Sequence, residues 1–413
     1  MLNETRLLHK AISERSLTEV FNRGVTDSWF DNESDRRLFI FIRQYFANYN
    51  GCPSVDAVKD SFPNFEVEPV QDPVSYLLDA IVAERRKKAA IAMIAEAIRI
   101  MDKDKDHEAA ILELQGGLIK IEEAGFSESR DIDLTVDPEK RYDEYLSRKN
   151  TPDGILGYRT GFPTIDNTIS GIQKGQLIVV AALPKTGKST LCMQMAITQH
   201  EAGNAIMFKS FEMTNNEQAS RYDAMRSKLS HHRLITGSMT EEEESRYRSG
   251  LSILSKFKSG FKLVDSGDGR TVTSIANKIQ TLQPDVVYID GVYLMVDEQT
   301  GEMNTPQALT NITRSLKNLA QKTNRPIVIN TQYLAHKMKS GRATLDSIGY
   351  ASSFAQDADV VMGLERLEDA GDDLRWLRIM ASRNSGGAEV GLSWDWDRGI
   401  FREIDKDDIS VTD

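Results

Sequence analysis

The residues Ala182-Leu183-Pro184-Lys185-Thr186-Gly187-Lys188-Ser189 stand between an apolar run, Ile178 to Ala182, and a stretch with apolar residues at helical spacing from Leu191 to Ala196. They match a phosphate-binding loop in which Ala replaces the usual first Gly. Backbone N–H groups of such a loop, at the start of a helix, converge on phosphate oxygens. Ala182, Pro184, Lys185, Thr186, Gly187, Lys188, Ser189 and Thr190 are therefore the candidate cradle for ATP. Lys188 reaches the terminal phosphates, and Ser189 offers its hydroxyl to Mg²⁺, which takes hard oxygen ligands in an octahedron. The alternative is an ordinary strand–turn–helix with a chance GKS. The buried-type strand before it and the helix after it weigh against chance.

Hydrolysis needs more than a cradle: a group for the metal, a group to orient water, a sensor and a neutralising cation. Each has a candidate near the end of a separate strand. Val286-Val287-Tyr288-Ile289-Asp290 is an apolar run ending in an acid, which places a carboxylate where it holds Mg²⁺ through water. Glu212, after the run Ile206 to Phe211, is placed to polarise the attacking water as a general base. An acid there also caps a following helix. Gln332 ends a third strand, Ile327 to Gln332, and is the candidate sensor for a γ-phosphate or its water. Arg383 precedes the turn Asn384-Ser385-Gly386-Gly387. An arginine on an exposed turn stabilises transition-state charge in an adjoining subunit, or is a surface charge.

The elements that must position these groups alternate. From about residue 155 the pattern predicts strands at 178–182, 206–211, 261–265, 286–290, 327–332 and 359–364, and helices from Thr214 and over 241–258, 274–283 and 308–323. Strands at 374–381, 390–396 and 401–404 close the domain. Thr214 with Glu217 reads as a capping box. Such alternation predicts an α/β domain, a mainly parallel sheet with helices on both faces and ligands at the carboxyl ends of its strands. Residues 1–124 read almost entirely as helix. A short helix follows Pro53-Ser54, and a long one at 75–101 pairs with a second at 107–123 in a hairpin. Arg85, Arg86, Lys87 and Lys88 read as a solvated face. The polar, acidic stretch 125–136 is the expected linker. The charged helix at 139–148 has Tyr142, Tyr145 and Leu146 on one side, and such a helix needs a groove on its own chain or a neighbour. The expected domains are thus 1–124, 125–153 and 154–413.

The 413 residues exceed one typical core, and a net charge of −11 argues against a protein that coats duplex DNA while leaving room for a local basic channel. The two cysteines, Cys52 and Cys192, lack metal or redox spacing, as suits a reducing compartment. No apolar run approaches a membrane span and the start is no signal peptide, so a cytoplasmic protein with no membrane partner is expected.

In order and spacing these motifs resemble those of the replicative hexameric DnaB-type helicases, with their RecA-like motor. The resemblance covers nearly the whole chain. It includes GYRTGFPTID (Gly157 to Asp166), FEM (Phe211 to Met213), TRSLKNLA (Thr313 to Ala320) and AQDADVVM (Ala355 to Met362). SLKxLA and QDAD discriminate better than the phosphate loop, and the N-terminal half matches only in pattern. The resemblance implies that Lys188 and Ser189 bind ATP and Mg²⁺, that Asp290 supports the metal and that Glu212 activates water. It makes Gln332 a phosphate sensor, Arg221 a contact to the base and Arg383 the finger that reaches the neighbour's ATP. It further implies an all-α N-terminal collar, a linker helix docked on the next subunit, a homo-hexamer, and a primase and a helicase loader as partners. A short linker and trimmed N-terminal domain suit a phage-encoded protein in a bacterial cell. Two places depart from the family: Ala381 stands where it has a lysine, and Gly349 where it often has an arginine.

The motor's most concentrated basic loop is Ala335 to Arg342, with Lys337, Lys339 and Arg342. A ring of such loops tracks the phosphates of one strand without reading bases. Asp346 to Ser353 adds backbone N–H groups at Gly349 and a stacking ring at Tyr350. A flexible surface loop is the alternative. Two competing functions share this sequence pattern: a recombinase-type or regulatory ATPase, and an ATP-binding scaffold for loading or for recruiting primase.

Overall fold

The run Leu177-Ile178-Val179-Val180-Ala181-Ala182 has no polar side to leave in water. It becomes strand β1 (Leu177–Ala182), buried along its whole length. The computed structural model describes residues 1–15, 17–49, 51–105, 107, 109–110, 113–114, 117, 134, 138–338, 342–348, 354, 356–366 and 372–404. The chain divides into two units, Met1–Pro138 and Glu139–Asp413.

In the second unit β1 shares one sheet with β2 (Ile206–Ser210), β3 (Phe261–Val264), β4 (Val286–Asp290), β5 (Ile327–Gln332), β6 (Val360–Arg366), β7 (Leu374–Ser382), β8 (Glu389–Asp395) and β9 (Ile400–Ile404). Among the described residues the strand order is β3-β2-β4-β5-β1-β6-β7-β8-β9. The six strands from β3 to β6 in that order are parallel, and β7, β8 and β9 join antiparallel. The chain leaves β1, passes β5 and β4, and re-enters at β2. That jump opens the crevice at the carboxyl ends where ligands gather in such sheets. Register aligns the ends: Ala182 lies beside Gln332, and Ser210 beside Asp290.

Alternate residues of β1 feed two cores. Ile178, Val180 and Ala182 pack with Leu191, Cys192 and Met195 of the helix Lys188–Glu201. Leu177, Val179 and Ala181 pack with Ile275, Ile279, Leu309 and Leu316, from the helices Val272–Leu282 and Pro306–Thr323. Helices thus cover both faces, as the alternation of elements predicts. The strands fall where expected to within two residues. The helix predicted over 241–258 ends at Leu254, because Phe257 turns back to stack on His200 with centroids 4.8 Å apart.

The discriminating motifs have structural duties. The Asp166 carboxylate accepts from the N–H and hydroxyl of Thr160 at 2.7 and 2.8 Å and from the Gly161 N–H at 3.2 Å. Gly161 has φ +89°, and a Cβ there would lie 2.7 Å from Thr198 Oγ1, so no larger residue fits. Lys317 of SLKNLA donates to Asp359 of QDAD at 2.6 Å and to the Gly175 carbonyl at 3.1 Å. Asp359 in turn accepts from the Leu177 N–H at 2.8 Å, pinning the amino end of β1.

The first unit buries Leu7, Leu8, Ile12, Phe30, Phe39, Ile42, Leu77 and Ile81 among the helices Asn3–Glu14, Thr18–Asn22, Glu33–Tyr49, Val55–Ser61 and Val74–Arg99. Ser54 caps Val55–Ser61 through the Ala57 N–H. Between the short helix after Pro53-Ser54 and the long one that begins at Val74, the chain from Phe62 to Pro73 is not helical. Pro63, Pro69 and Pro73 cannot supply helical N–H groups, and the chain there bonds to side chains instead. The Glu68 N–H donates to His9 Nδ1 at 2.9 Å, and Lys10 donates to the Val70 carbonyl at 2.9 Å. Of the basic run, Arg85 packs over the Trp29 ring and donates to the Ser28 carbonyl, and Lys88 pairs with Asp31. Most of the expected helix at 107–123, and nearly all of the linker at 125–136, lie outside the described residues. The charged helix forms as Pro138–Lys149, with Tyr142 and Tyr145 left 56 % and 53 % exposed. Among the described residues no helix is long and apolar enough to cross a membrane.

Candidate active site

The loop after β1 leads directly into the helix Lys188–Glu201, whose N-cap, Gly187, supplies no side-chain hydrogen bond. Its first N–H groups are thus left for an anion. Gly187 has φ +105°, and a Cβ there would lie 2.8 Å from Phe401 Cζ and 3.3 Å from Trp394, so the turn requires glycine twice over. Lys185 also takes a left-handed conformation, at φ +62°. Ala182, by contrast, keeps strand geometry beside Gln332 and Leu364, with its side chain in the core. Nothing at that position needs glycine's freedom.

Lys188 is buried, and its Nζ donates to Glu212 Oε1 at 2.8 Å. Burial pushes the Glu212 carboxyl up, but hydrogen bonds from Lys188 and Tyr293 outweigh it and hold the group below the usual range. Ser189 Oγ donates to Asp290 Oδ1 at 2.7 Å, and Ser210 Oγ to Asp290 Oδ2 at 3.0 Å. Asn330 Nδ2 also donates to Asp290, while Asn330 Oδ1 accepts from the Gly291 N–H at 2.8 Å. Gln332 Nε2 donates to the Tyr293 hydroxyl at 2.7 Å, and that hydroxyl donates to Glu212 Oε1. Lys188, Ser189, Glu212, Asp290 and Gln332 therefore gather in one hydrogen-bonded region at the carboxyl ends of β1, β2, β4 and β5.

A cavity of about 370 Å³ opens beside these groups, lined by Lys185, Gly187, Lys188, Ser189, Thr190 and Glu212, with Arg221, Met225, His231, Trp394 and Trp396 farther along. Arg221 sits on the helix Asn215–Ser227, which opens on the predicted capping box of Thr214 and Glu217. Its guanidinium is pulled below its ordinary pKa by burial, against the opposing charges of Asp290, Glu212 and Glu217. Of the other cradle residues predicted, Thr186 is buried, and it, Ala182 and Pro184 do not line the cavity.

Arg383 lies elsewhere. Its N–H donates to the Asp359 carbonyl at 3.0 Å, and its guanidinium reaches the Gln356 and Ala358 carbonyls at 2.8 and 3.3 Å. Asp359 marks the amino end of β1, so six residues of strand, about 20 Å, separate Arg383 from its own phosphate loop. Its side chain is 51 % exposed. Ala381, beside Val361, adjoins the core at a bulge in the β6–β7 pairing. In the basic loop Lys337 is exposed, and Arg342 is exposed and paired with Glu389 at 3.5 Å. Lys339, Gly349 and Tyr350 lie outside the described residues.

The motif reading does not single out Tyr293, Asn330, Arg375 or the two tryptophans. Arg375 carries a legible signal, since alternation along β7 puts it on the buried face with Leu377 and Ile379. Only 1 % exposed, it donates to the Thr186 carbonyl of the loop at 3.2 Å and lies over the Trp394 ring at 4.8 Å. It braces the cradle from below. Arg375→Met is expected to lower unfolding stability by about 2–4 kcal/mol and weaken nucleotide binding roughly tenfold. Urea denaturation and nucleotide titration measure both, and unchanged affinity would remove the bracing role.

The profile of the DnaB-like helicase C terminal domain family matches residues 157–402. A probable replicative DNA helicase of Trieres chinensis is 27 % identical over 69 % of this chain and 66 % of its own. The replicative DNA helicase DnaC of Bacillus subtilis (strain 168) is 28 % identical over 65 % of this chain and 62 % of its own, and the replicative DNA helicase DnaB of Geobacillus stearothermophilus 28 % identical over 54 % and 50 %. The chain thus spans from half to just under two thirds of the length of these curated relatives. Among solved structures, a DnaB-like replicative helicase described with its interactions with primase superposes at a TM-score of 0.65, with 17 % identity over 98 % of this chain and 99 % of that one. A second solved structure, an isolated ATPase domain, superposes at 0.60, with 20 % identity over 67 % of this chain and 100 % of that one. Both likenesses concern the fold. The matched profile runs from the Asp166 clasp through the phosphate loop and all four strand ends to β9, and on that ground the chain belongs to the DnaB-like helicase C-terminal domain family.

Proposed function

We propose that this chain is an ATP-driven replicative DNA helicase that assembles as a homo-hexameric ring, moves along single-stranded DNA and unwinds duplex at the fork. The observation that carries the reading is the convergence of Lys188, Ser189, Glu212, Asp290 and Gln332 at one edge of the sheet, with Arg383 turned outward at the other. Lys188 holds the terminal phosphates of ATP, Glu212 takes a proton from the attacking water, and Gln332 senses the γ-phosphate. Arg221 contacts the base. Ser189 and Asp290 are adjacent hard-oxygen donors and fit Mg²⁺, with no cluster of three acidic, His or Cys ligands among the described residues. Such a donor set suits an ion that keeps its waters and phosphate ligands. Bound there, Mg²⁺ would neutralise charge on the phosphates. Arg383 completes the site of the neighbouring subunit.

On this reading residues 1–124 form the collar, 125–153 the linker with its docking helix, and 154–413 the motor. Primase and a loader are the expected protein partners. The basic loop around Lys337, Lys339, Arg342, Gly349 and Tyr350 faces single-stranded DNA.

The test is ATP turnover with and without an oligodeoxythymidine, together with strand displacement on a forked duplex. DNA-stimulated turnover with displacement is expected. Strand exchange without displacement would replace this reading with a recombinase, and absent turnover with a scaffold. Lys337→Ala is expected to weaken single-strand binding and to reduce the slope of log K against log salt by about 1. An unaltered slope would take Lys337 off the DNA path.

A further inference from the structure

Tyr293 belongs to none of the roles above, yet its hydroxyl sits between two of them. It donates to Glu212 Oε1 and accepts from Gln332 Nε2 at 2.7 Å, and its ring faces Lys188 Nζ at 5.5 Å. The residue stands on a single 3₁₀ turn, Val292–Leu294, directly after β4. Gly291 starts that turn at φ +90°, and a Cβ there would lie 3.2 Å from Glu212 Cγ. Glycine thus lets the turn close onto Glu212. The Gly291 N–H is held by Asn330, the residue two before Gln332. The ends of β2, β4 and β5 are in this way tied together through one phenol.

Two consequences follow from this connection. Glu212 Oε1 accepts from both Lys188 and Tyr293. When a terminal phosphate draws Lys188 away, Tyr293 is the donor that keeps the carboxylate from rotating, with Oε2 turned to the water. Gln332 is the last residue of β5, and the chain runs from it into the basic loop. That loop is braced at its base by the Tyr333–Ile348 bridge and by the Leu334 N–H to the Ser347 carbonyl at 2.7 Å. A shift of the loop would pass through the chain to Gln332, whose amide holds the Tyr293 hydroxyl. We propose that Tyr293 is a positioning residue that couples occupancy of the basic loop by single-stranded DNA to the orientation of Glu212. The inference rests on the reading of the chain as a DNA-stimulated ATPase.

The test uses the full chain and its Tyr293→Phe variant, which keeps the ring and removes one oxygen. With oligodeoxythymidine present, kcat for ATP is expected to fall roughly tenfold, KM to stay within about twofold, and stimulation by DNA to be largely lost. Gln332→Met removes the donor to Tyr293 while leaving the phenol. It is expected to lose stimulation as well, and the double variant to be no worse than the poorer single one. It also supplies the reading should Tyr293→Phe not fold, with retained stimulation overturning the coupling. A Tyr293→Phe enzyme stimulated as strongly as the parent overturns the coupling alone. So does a raised KM at constant kcat, or losses that multiply in the double variant. A parent chain whose turnover ignores DNA overturns both the coupling and the function beneath it.

Discussion

Glu212→Gln is expected to bind ATP about as tightly as the parent chain and to turn it over at least roughly a hundredfold more slowly, within the range for loss of a general base. The substitution is nearly isosteric. It keeps an acceptor for Lys188 and Tyr293, which both bond to Glu212 Oε1, but removes the charge proposed to draw a proton from water. Binding should survive because, in the proposed site, the helix N-terminus and Lys188 hold the phosphates, whereas a carboxylate repels them. Lys188→Ala separates the two duties. It removes the cation from the cradle and leaves Glu212 facing phosphate uncompensated, so affinity and turnover should fall together. Isothermal titration with a non-hydrolysable analogue and phosphate release read the two quantities. Turnover by Glu212→Gln within a few-fold of the parent would shift the base to another group.

Two inactive variants should regain activity on mixing. Arg383 is bonded to carbonyls at the amino end of the sheet, while the phosphate loop leaves the carboxyl end. The strand between them is about 20 Å long, beyond an arginine's reach, so this guanidinium cannot serve its own nucleotide. In a ring with head-to-tail interfaces, one subunit's cradle meets the next one's opposite edge. Arg383→Ala is expected to lower turnover by about 10³-fold or more, as for other arginine fingers. Lys188→Ala lacks a working cradle but presents an intact Arg383. In an equal mixture about a quarter of the seams combine a good cradle with a good finger, and turnover should recover in that proportion. The measurement is phosphate release after subunits are exchanged at low concentration and reassembled. A mixture as inactive as its components would show that Arg383 does not act across the seam. The exposed side chain and the Asp359 clasp would then be an ordinary feature of the strand end.

What can be read without a structure is local. The apolar run before Gly187-Lys188-Ser189, the acid ending Val286–Asp290 and the capping box at Thr214 depend on neighbours a few residues away, and periodicity carries that information. The same holds for the two-sided burial of β1, since a strand without a polar face must be covered on both sides. The course of Phe62–Pro73 is not legible in this way: its three prolines keep it out of helix, but its partner, His9, lies 59 residues from Glu68.

Strand order and register decided the rest. Tyr293 meets Glu212 across 81 positions and Gln332 across 39, and Arg375 meets Thr186 across 189. No spacing in the chain announces such pairs. They exist because β5 is inserted between β4 and β1, and because β7 runs back beside β6. By itself the sequence determined a phosphate cradle, with acids and an amide ending strands. Only the folded sheet decided that Glu212 and Gln332 join through one tyrosine and that Arg383 faces away, because pairing between distant strands, not local pattern, sets which ends lie together.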